Sequence, residues 1–168
     1  ITHLFNAQTP LHHRNPGVVG AALLENVTTE LIADTFHVHK GLFELIARIK
    51  GDHLVLITDC TRAGGMPDGE YTLGGQPIIV NGIQCLLQDG TIAGSVLKLN
   101  DAVKNLRDST DLPFWKVVSA ASLAPARAIG VHHRKGSLEA GKDADIIITD
   151  SDFNICKTII GGEVQYEA

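Results

Sequence analysis

Residues 30–59 read ELIADTFHVHKGLFELIARIKGDHLVLITD. Glu30 to Asp34 opens as a short buried strand. Leu42, Leu45, Ile46 and Ile49 then recur at the 3, 4 and 7 spacing of one helical face, which predicts an amphipathic helix over Gly41 to Lys50. His53 to Thr58 follows as an almost continuous apolar run that ends in Thr58-Asp59. Strand, helix, strand at this spacing is the rhythm of a parallel sheet covered by helices, whose strands are apolar on both faces.

Upstream, Thr2 to Asn6 is expected to form a short strand. The stretch TPLHHRNPG, Thr9 to Gly17, is dense in turn-formers and is expected to be a loop, with a short helix over Val18 to Glu25. Downstream the pattern changes. Gly69 to Ser95 holds short apolar runs punctuated by Gly74-Gly75, Asn81-Gly82 and Asp89-Gly90, which predicts antiparallel hairpins because such pairs supply the positive φ of tight turns. Helices are expected at Leu99 to Arg107 and, as one element, at Pro113 to Ile129, with Gly130 as its stop. Strands are expected at Ala144 to Thr149 and Ile155 to Ile160, with a third after Gly161-Gly162.

The composition limits what such a chain does. It has 168 residues, 44% hydrophobic and 20% charged, and a formal net charge of −5, which is ordinary globular composition. The basic residues are scattered, so a nucleic-acid or membrane-surface partner has little electrostatic support. No apolar stretch approaches the ~18 residues a bilayer-spanning helix needs. Cys60, Cys85 and Cys156 are widely spaced with no CxxC pair, and no basic-then-apolar leader precedes them, so a cytoplasmic location is expected. The chain begins in strand-like sequence at Ile1 and is expected to be a piece of a longer protein.

Polar residues gather at the predicted strand ends: His3 and Asn6 on the first, Asp34 and His37 past the second, Asp59 closing the third. The carboxyl edge of a parallel sheet is where side chains converge on a ligand. Histidine and aspartate from different strands suit metal-assisted hydrolysis, since neutral imidazole binds the ion and a carboxylate can shuttle a proton. Each residue also has a plainer reading. A lone strand histidine is more often a satisfied polar group, and an aspartate after an apolar strand is often a helix cap. His37 and His39, two apart on extended chain, would point the same way. His12, His13, His132 and His133 read as surface residues, and Cys60 as a buried, inert thiol.

At THLFNA (Thr2 to Ala7), HRNPG (His13 to Gly17), ELIADTFHVH (Glu30 to His39), LVLITD (Leu54 to Asp59), DGTIAGS (Asp89 to Ser95) and the ending SAASLAPARAIG with KGSLEAGKDADIIITD, the sequence resembles the N-acetylglucosamine-6-phosphate deacetylases of the amidohydrolase superfamily. The resemblance runs in order over nearly the whole chain. It implies an α/β fold: residues 1–130 as the C-terminal part of a (β/α)8 metal-dependent barrel with a β-hairpin insertion at about 69–95, and residues 131–168 as the C-terminal strands of a small β-domain. It further implies His3 as a metal ligand, Asp59 as the catalytic acid/base, and Asn6, Ala7, Arg14, His37, Ile92, Ala93 and Gly94 as substrate-binding, with Arg14 at the sugar phosphate.

The implied reaction is hydrolysis of the acetamide of N-acetylglucosamine 6-phosphate, with a divalent metal, Zn or Fe, as cofactor. A homodimer is implied because the loop arginine can reach a neighbouring site. Two residues depart from the family pattern: Gln8 stands where Met is frequent and Thr35 where Gly is usual. The family's other ligands, a glutamate and a second histidine, match no residue here, so this polypeptide alone is expected to be inactive and to hold metal weakly or not at all. Two other readings are a different amidohydrolase, separated by phosphate dependence, and a non-catalytic half-barrel module, separated by metal content and turnover.

Overall fold

The computed structural model describes all residues, 1–168. Its centre is the parallel pair β1 (Thr29–Ile32) and β2 (Leu54–Ile57), in register from Thr29 beside Leu54 to Ile32 beside Ile57. The connection between them contains α2 (Phe43–Lys50), entered through a 3-10 turn over Lys40–Leu42. Phe43, Ile46 and Ala47 turn inward from α2. They join Leu4, Leu31, Ile32 and Leu54 in one core that also takes Ala102, Val103 and Leu106 of α3 (Leu99–Asp108) and Val117 and Ala120 of α4 (Phe114–Ala121). Each large aliphatic or aromatic side chain buried there contributes roughly 1.5–3 kcal/mol. The helices α1 (Gly17–Leu24), α2, α3 and α4 thus cover a parallel sheet, as in a sector of a β/α barrel.

The expected strand at Thr2 to Asn6 is not a strand. Ile1 accepts from the Glu30 amide (2.9 Å) and Leu4 donates to the Glu30 carbonyl (2.8 Å), so the segment does lie beside β1. A regular parallel neighbour would make those two bonds from residues two apart. Here they are three apart, and the chain bulges at His3 (φ +33°) and then turns through Phe5 (φ +76°) and Ala7 (φ +52°). The expected single helix at Pro113 to Ile129 is two, α4 and α5 (Leu123–Ala128), broken at Ser122. Pro125 has no amide to continue the ladder and fits only the first turn of a new helix. At the far end Gly130 (φ +76°) donates to Arg127 and Val131 to Ala126, a Schellman stop.

Two antiparallel sheets flank this core. β3 (Gly69–Leu73), β4 (Gln76–Asn81) and β5 (Gln84–Leu87) form the first, around a small cluster of Ala63, Ile78, Val80 and Cys85. β6 (Ile146–Thr149), β7 (Ile155–Ile160) and β8 (Glu163–Glu167) form the second. It is tied to α3 by Phe153, whose carbonyl accepts from Asn100 (3.1 Å) and whose ring carries the Arg107 guanidinium 5.0 Å from its centroid. No helix is long and apolar enough to cross a membrane.

Candidate active site

Four stretches of chain lie side by side: residues 1–4, β1, β2 with the residues that follow it, and the segment at Ser95 returning from the first antiparallel sheet. Neighbouring strands are about 4.8 Å apart, so groups at equivalent ends of adjacent stretches are within reach of one small ligand. Five of the six non-glycine residues with positive φ stand here: His3, Phe5, Ala7, Thr35 (+68°) and Asp59 (+48°). Such backbone persists only where the surroundings hold it, and it gathers at functional sites.

Asp59 follows β2 after one intervening residue, Thr58. No helix begins after it, the next element being β3, so it is not a helix cap. Its position is held by Ser95, which is fully buried. The Ser95 amide donates to the Asp59 carbonyl (3.1 Å), the Ser95 carbonyl accepts from Thr61 (2.8 Å), and the Ser95 hydroxyl donates to the Thr58 carbonyl. This clamp brings Gly94 beside Asp59, while Ile92 and Ala93, just before it, pair with Leu86 and Cys85 of β5. Gly94 (φ +143°) is tight against the strand: a Cβ there would meet Thr61 Cγ2 at 2.7 Å and the Asp59 carbonyl at 3.6 Å. Ser95 drew no notice in the sequence, where only its place directly after Gly94 hinted at a close crossing.

His3 is half-buried, and its Nδ1 is the one buried side-chain polar atom of the chain without a hydrogen-bond partner. Asn6 braces the turn, its amide donating to the carbonyls of Leu4 (3.1 Å) and His3 (3.4 Å). Gln8 does the same from the other side, accepting from Phe5 (3.0 Å) and donating to Thr2 (2.7 Å). Ala7 is exposed beyond them.

On the next strand, Asp34 is buried and His37 leans on it, with His37 Nδ1 2.5 Å from Asp34 Oδ2. His39 does not act with His37. Residues 35–38 bend rather than extend, and His39 is exposed, accepting from the Gly41 amide (3.1 Å) to cap the following turn.

Arg14 stands apart from this cluster. Its loop is pinned by a bridge between His12 and Asn15, and its guanidinium is exposed, 2.7 Å from His13 Nε2. His12, His13, His132 and His133 are all exposed. Cys60 is also exposed, against the expectation of a buried thiol, because its side chain lies over the open face beside Gly64 rather than in either core. Partial burial raises its thiol pKa, and Cys85 and Asp59 nearby add to the rise. A groove of about 660 Å³ between α3, α4 and the β6–β8 sheet contains none of the expected site residues.

The fit to a metal is incomplete. The unpartnered His3 nitrogen suits one ligand position, but nowhere does the chain bring together three His, Cys, Asp or Glu side chains that could hold an ion. A metal site normally needs about three protein ligands, so this chain does not by itself compose one.

Known proteins match this arrangement closely. An N-acetylglucosamine-6-phosphate deacetylase of Bacillus subtilis (strain 168) is 44% identical over 168 residues, covering 99% of this chain and 42% of its own length. A protein of Escherichia coli (strain K12), provisionally named N-acetylgalactosamine-6-phosphate deacetylase, is 40% identical over 96% of this chain and 98% of its own length. Among solved structures, an aspartate-to-alanine mutant of the Mycobacterium smegmatis N-acetyl-D-glucosamine-6-phosphate deacetylase, in complex with N-acetyl-D-glucosamine-6-phosphate, matches with a TM-score of 0.91 at 34% identity, over 97% of this chain and 44% of that one. The chain thus spans about two fifths of the length of the Bacillus relative and carries part of a (β/α)8 barrel with additional strands. The Amidohydrolase family pattern matches residues 9–164, from the loop before Arg14 to the last strand, and the chain belongs to that family.

Proposed function

We propose that this chain forms the C-terminal share of an enzyme that hydrolyses the acetamide of N-acetylglucosamine 6-phosphate to glucosamine 6-phosphate and acetate. The observation that carries the reading is Asp59: a carboxylate just past the carboxyl end of β2, on positive-φ backbone, clamped by Ser95 with Gly94 close against it and with no helix to cap. The names of the relatives support the substrate class.

In this reading Asp59 accepts a proton from the attacking water and delivers it to the departing amine, which leaves poorly unless protonated. His37 meets the substrate, Asn6 and Ala7 bind it partly through backbone, and Ile92, Ala93 and Gly94 line the sugar pocket. Arg14, free of any carboxylate partner and presenting a forked set of donors, takes the phosphate. By its likeness to the deacetylases, an arginine of this loop can reach the site of a neighbouring subunit, which makes a homodimer part of the proposal.

Metal dependence is general in the amidohydrolases. His3 is proposed as one ligand of the ion, Zn or Fe, whose remaining ligands lie outside this chain. Residues 1–130 with the insertion at about 69–95 are proposed as the barrel part and 131–168 as the β-domain part. Three unpaired cysteines agree with a cytoplasmic location.

The test is Asp59→Asn in the complete enzyme. Asn keeps the size and a hydrogen bond but cannot carry a proton, so kcat should fall at least ~10²-fold while KM and Tm stay near wild type. An unchanged kcat would remove Asp59 from the mechanism. The Escherichia coli relative favours one second reading, the 4-epimer N-acetylgalactosamine 6-phosphate as substrate. Comparing kcat/KM on the two sugars decides between them.

A further inference from the structure

Asp34 is the only buried carboxylate in the chain, and no lysine or arginine pairs with it. A carboxylate in such a place is costly unless hydrogen bonds take up its charge. Asp34 Oδ1 accepts from the Phe36 amide (2.9 Å) and the His37 amide (2.8 Å). Thr35, at φ +68°, doubles the backbone back so that both amides face the oxygen. The turn is anchored from outside by Asn105 of α3, which donates to the Ala33 carbonyl (2.8 Å). One oxygen therefore suffices to shape the turn.

The other oxygen is spent on the ring. Oδ2 lies 2.5 Å from His37 Nδ1, and the two side chains are only 3% and 4% exposed. An ionised carboxylate only accepts, so Nδ1 carries the proton. His37 Nε2 makes no hydrogen bond within the chain, yet it is not sealed in, because the only buried side-chain polar atom without a partner is His3 Nδ1. The ring is thus bonded at one nitrogen and without a protein partner at the other, where a trace of its surface stays accessible past the end of β1.

We propose that Asp34 is a positioning residue: it holds the His37 imidazole in its Nδ1–H form and presents Nε2 to the ligand. The neutral ring offers a lone pair there. If an anionic group draws a second proton onto Nε2, the Asp34 carboxylate is already in place as the counter-charge. What binds at Nε2 rests on the deacetylase reading, whereas the tautomer does not.

The test is imidazole nitrogen NMR of this 168-residue chain, with rings assigned by His37→Gln and recorded at a pH where the imidazoles are neutral. Wild type should show His37 with Nδ1 protonated and Nε2 bare. In Asp34→Asn the amide oxygen keeps the two backbone donors, so the side-chain NH2 faces Nδ1 and the proton moves to Nε2: the tautomer inverts while the rest of the spectrum is preserved. A wild-type ring protonated at Nε2 overturns the proposal whether or not Asp34→Asn folds. So does a folded Asp34→Asn chain with an unchanged tautomer, which would leave Asp34 as a turn former only.

In the complete enzyme, Asp34→Asn should raise KM at least tenfold with little change in Tm. An unchanged KM refutes the ligand-facing role. The NMR arm needs no turnover. Absence of any deacetylase activity in the wild-type enzyme would therefore sink the functional reading without touching the tautomer, and an Nε2–H ring would do the reverse.

Discussion

Replacing Thr35 by glycine should stabilise the chain. Thr35 sits at φ +68°, where an L-residue costs roughly 1–2 kcal/mol through contact of Cβ with the following carbonyl, and β-branching leaves it no easy rotamer to escape. Its side chain is exposed, so truncation loses little burial. Glycine removes the strain but gives the unfolded chain more freedom, which takes back about 0.4–1 kcal/mol. The difference leaves a gain of about 1 kcal/mol, or a rise in Tm of roughly 2–4 °C for a domain of this size. Urea and thermal unfolding of Thr35→Gly beside Thr72→Gly make the measurement specific. Thr72 is equally exposed but lies on regular strand β3, where glycine should cost about 0.5–1 kcal/mol. The two variants should move in opposite directions. If Thr35→Gly loses stability as Thr72→Gly does, the strain argument for this turn is wrong.

Three further outcomes are expected. Lys50, 5% exposed, donates to the carbonyls of Ala22 (2.7 Å) and Glu25 (2.8 Å) at the end of α1, so Lys50→Met should cost about 1–3 kcal/mol in denaturant unfolding, and a neutral result would show those carbonyls to be hydrated instead. Lys135 bonds both Asp143 and Asp145 and is the main reason each carboxyl is held below its ordinary range, with Arg134 aiding the first and the Gly161 amide the second. Depressed carboxyls contribute stability that is present above their unfolded values and lost as pH falls through their folded ones. The Tm gap between wild type and Lys135→Met should therefore close below about pH 4, and a gap unchanged at about pH 2.5 would contradict this. Finally, with one unpartnered imidazole nitrogen and no three-ligand cluster, the dialysed chain should retain far less than one equivalent of zinc by elemental analysis; a tight stoichiometric ion would refute the reading that its ligands are incomplete.

Much of the fold was legible because the signals were local. The 3, 4, 7 spacing located α2 but not its buried face: Leu42, Leu45 and Ile49 are exposed, while Phe43, Ile46, Ala47 and Lys50 turn inward. Gly74-Gly75 (φ +57° and +83°) and Gly161-Gly162 (φ +59° and +86°) marked two hairpins. Asn81-Gly82 marked a third, but Asn81 pairs with Gln84, so the turn itself is Gly82-Ile83, one residue later. Residues 2–6 misled because a mixture of apolar and polar residues without turn-formers suggests an extended chain but carries no information about φ, and the bulge there accompanies the pairing with Glu30. Within the site, the positions of Asp34, His37 and Asp59 past the ends of the parallel strands were visible in the letters, whereas His3 stands on a bulge and not on the expected strand. The Asp34–His37 bond and the Ser95 clamp were not. The first depends on a turn at Thr35 that periodicity does not encode, and the second joins residues 37 positions apart.

The Ser95 clamp bears on how such a site can change its ligand. The chain leaves the parallel sheet after β2 at Thr61, builds an antiparallel sheet with its own small core, and is tied back at Ser95. Closing an excursion of this kind becomes only about 0.6 kcal/mol harder each time its length doubles. Everything between the two tie points can therefore lengthen, shorten or be exchanged between relatives at little thermodynamic cost, while the stretch that re-enters beside Asp59 is delivered to the same place. If that stretch walls the proposed pocket, the wall can drift in shape without disturbing the proposed proton-handling carboxylate, and grafting this cassette between related family members is the natural way to look for altered substrate range.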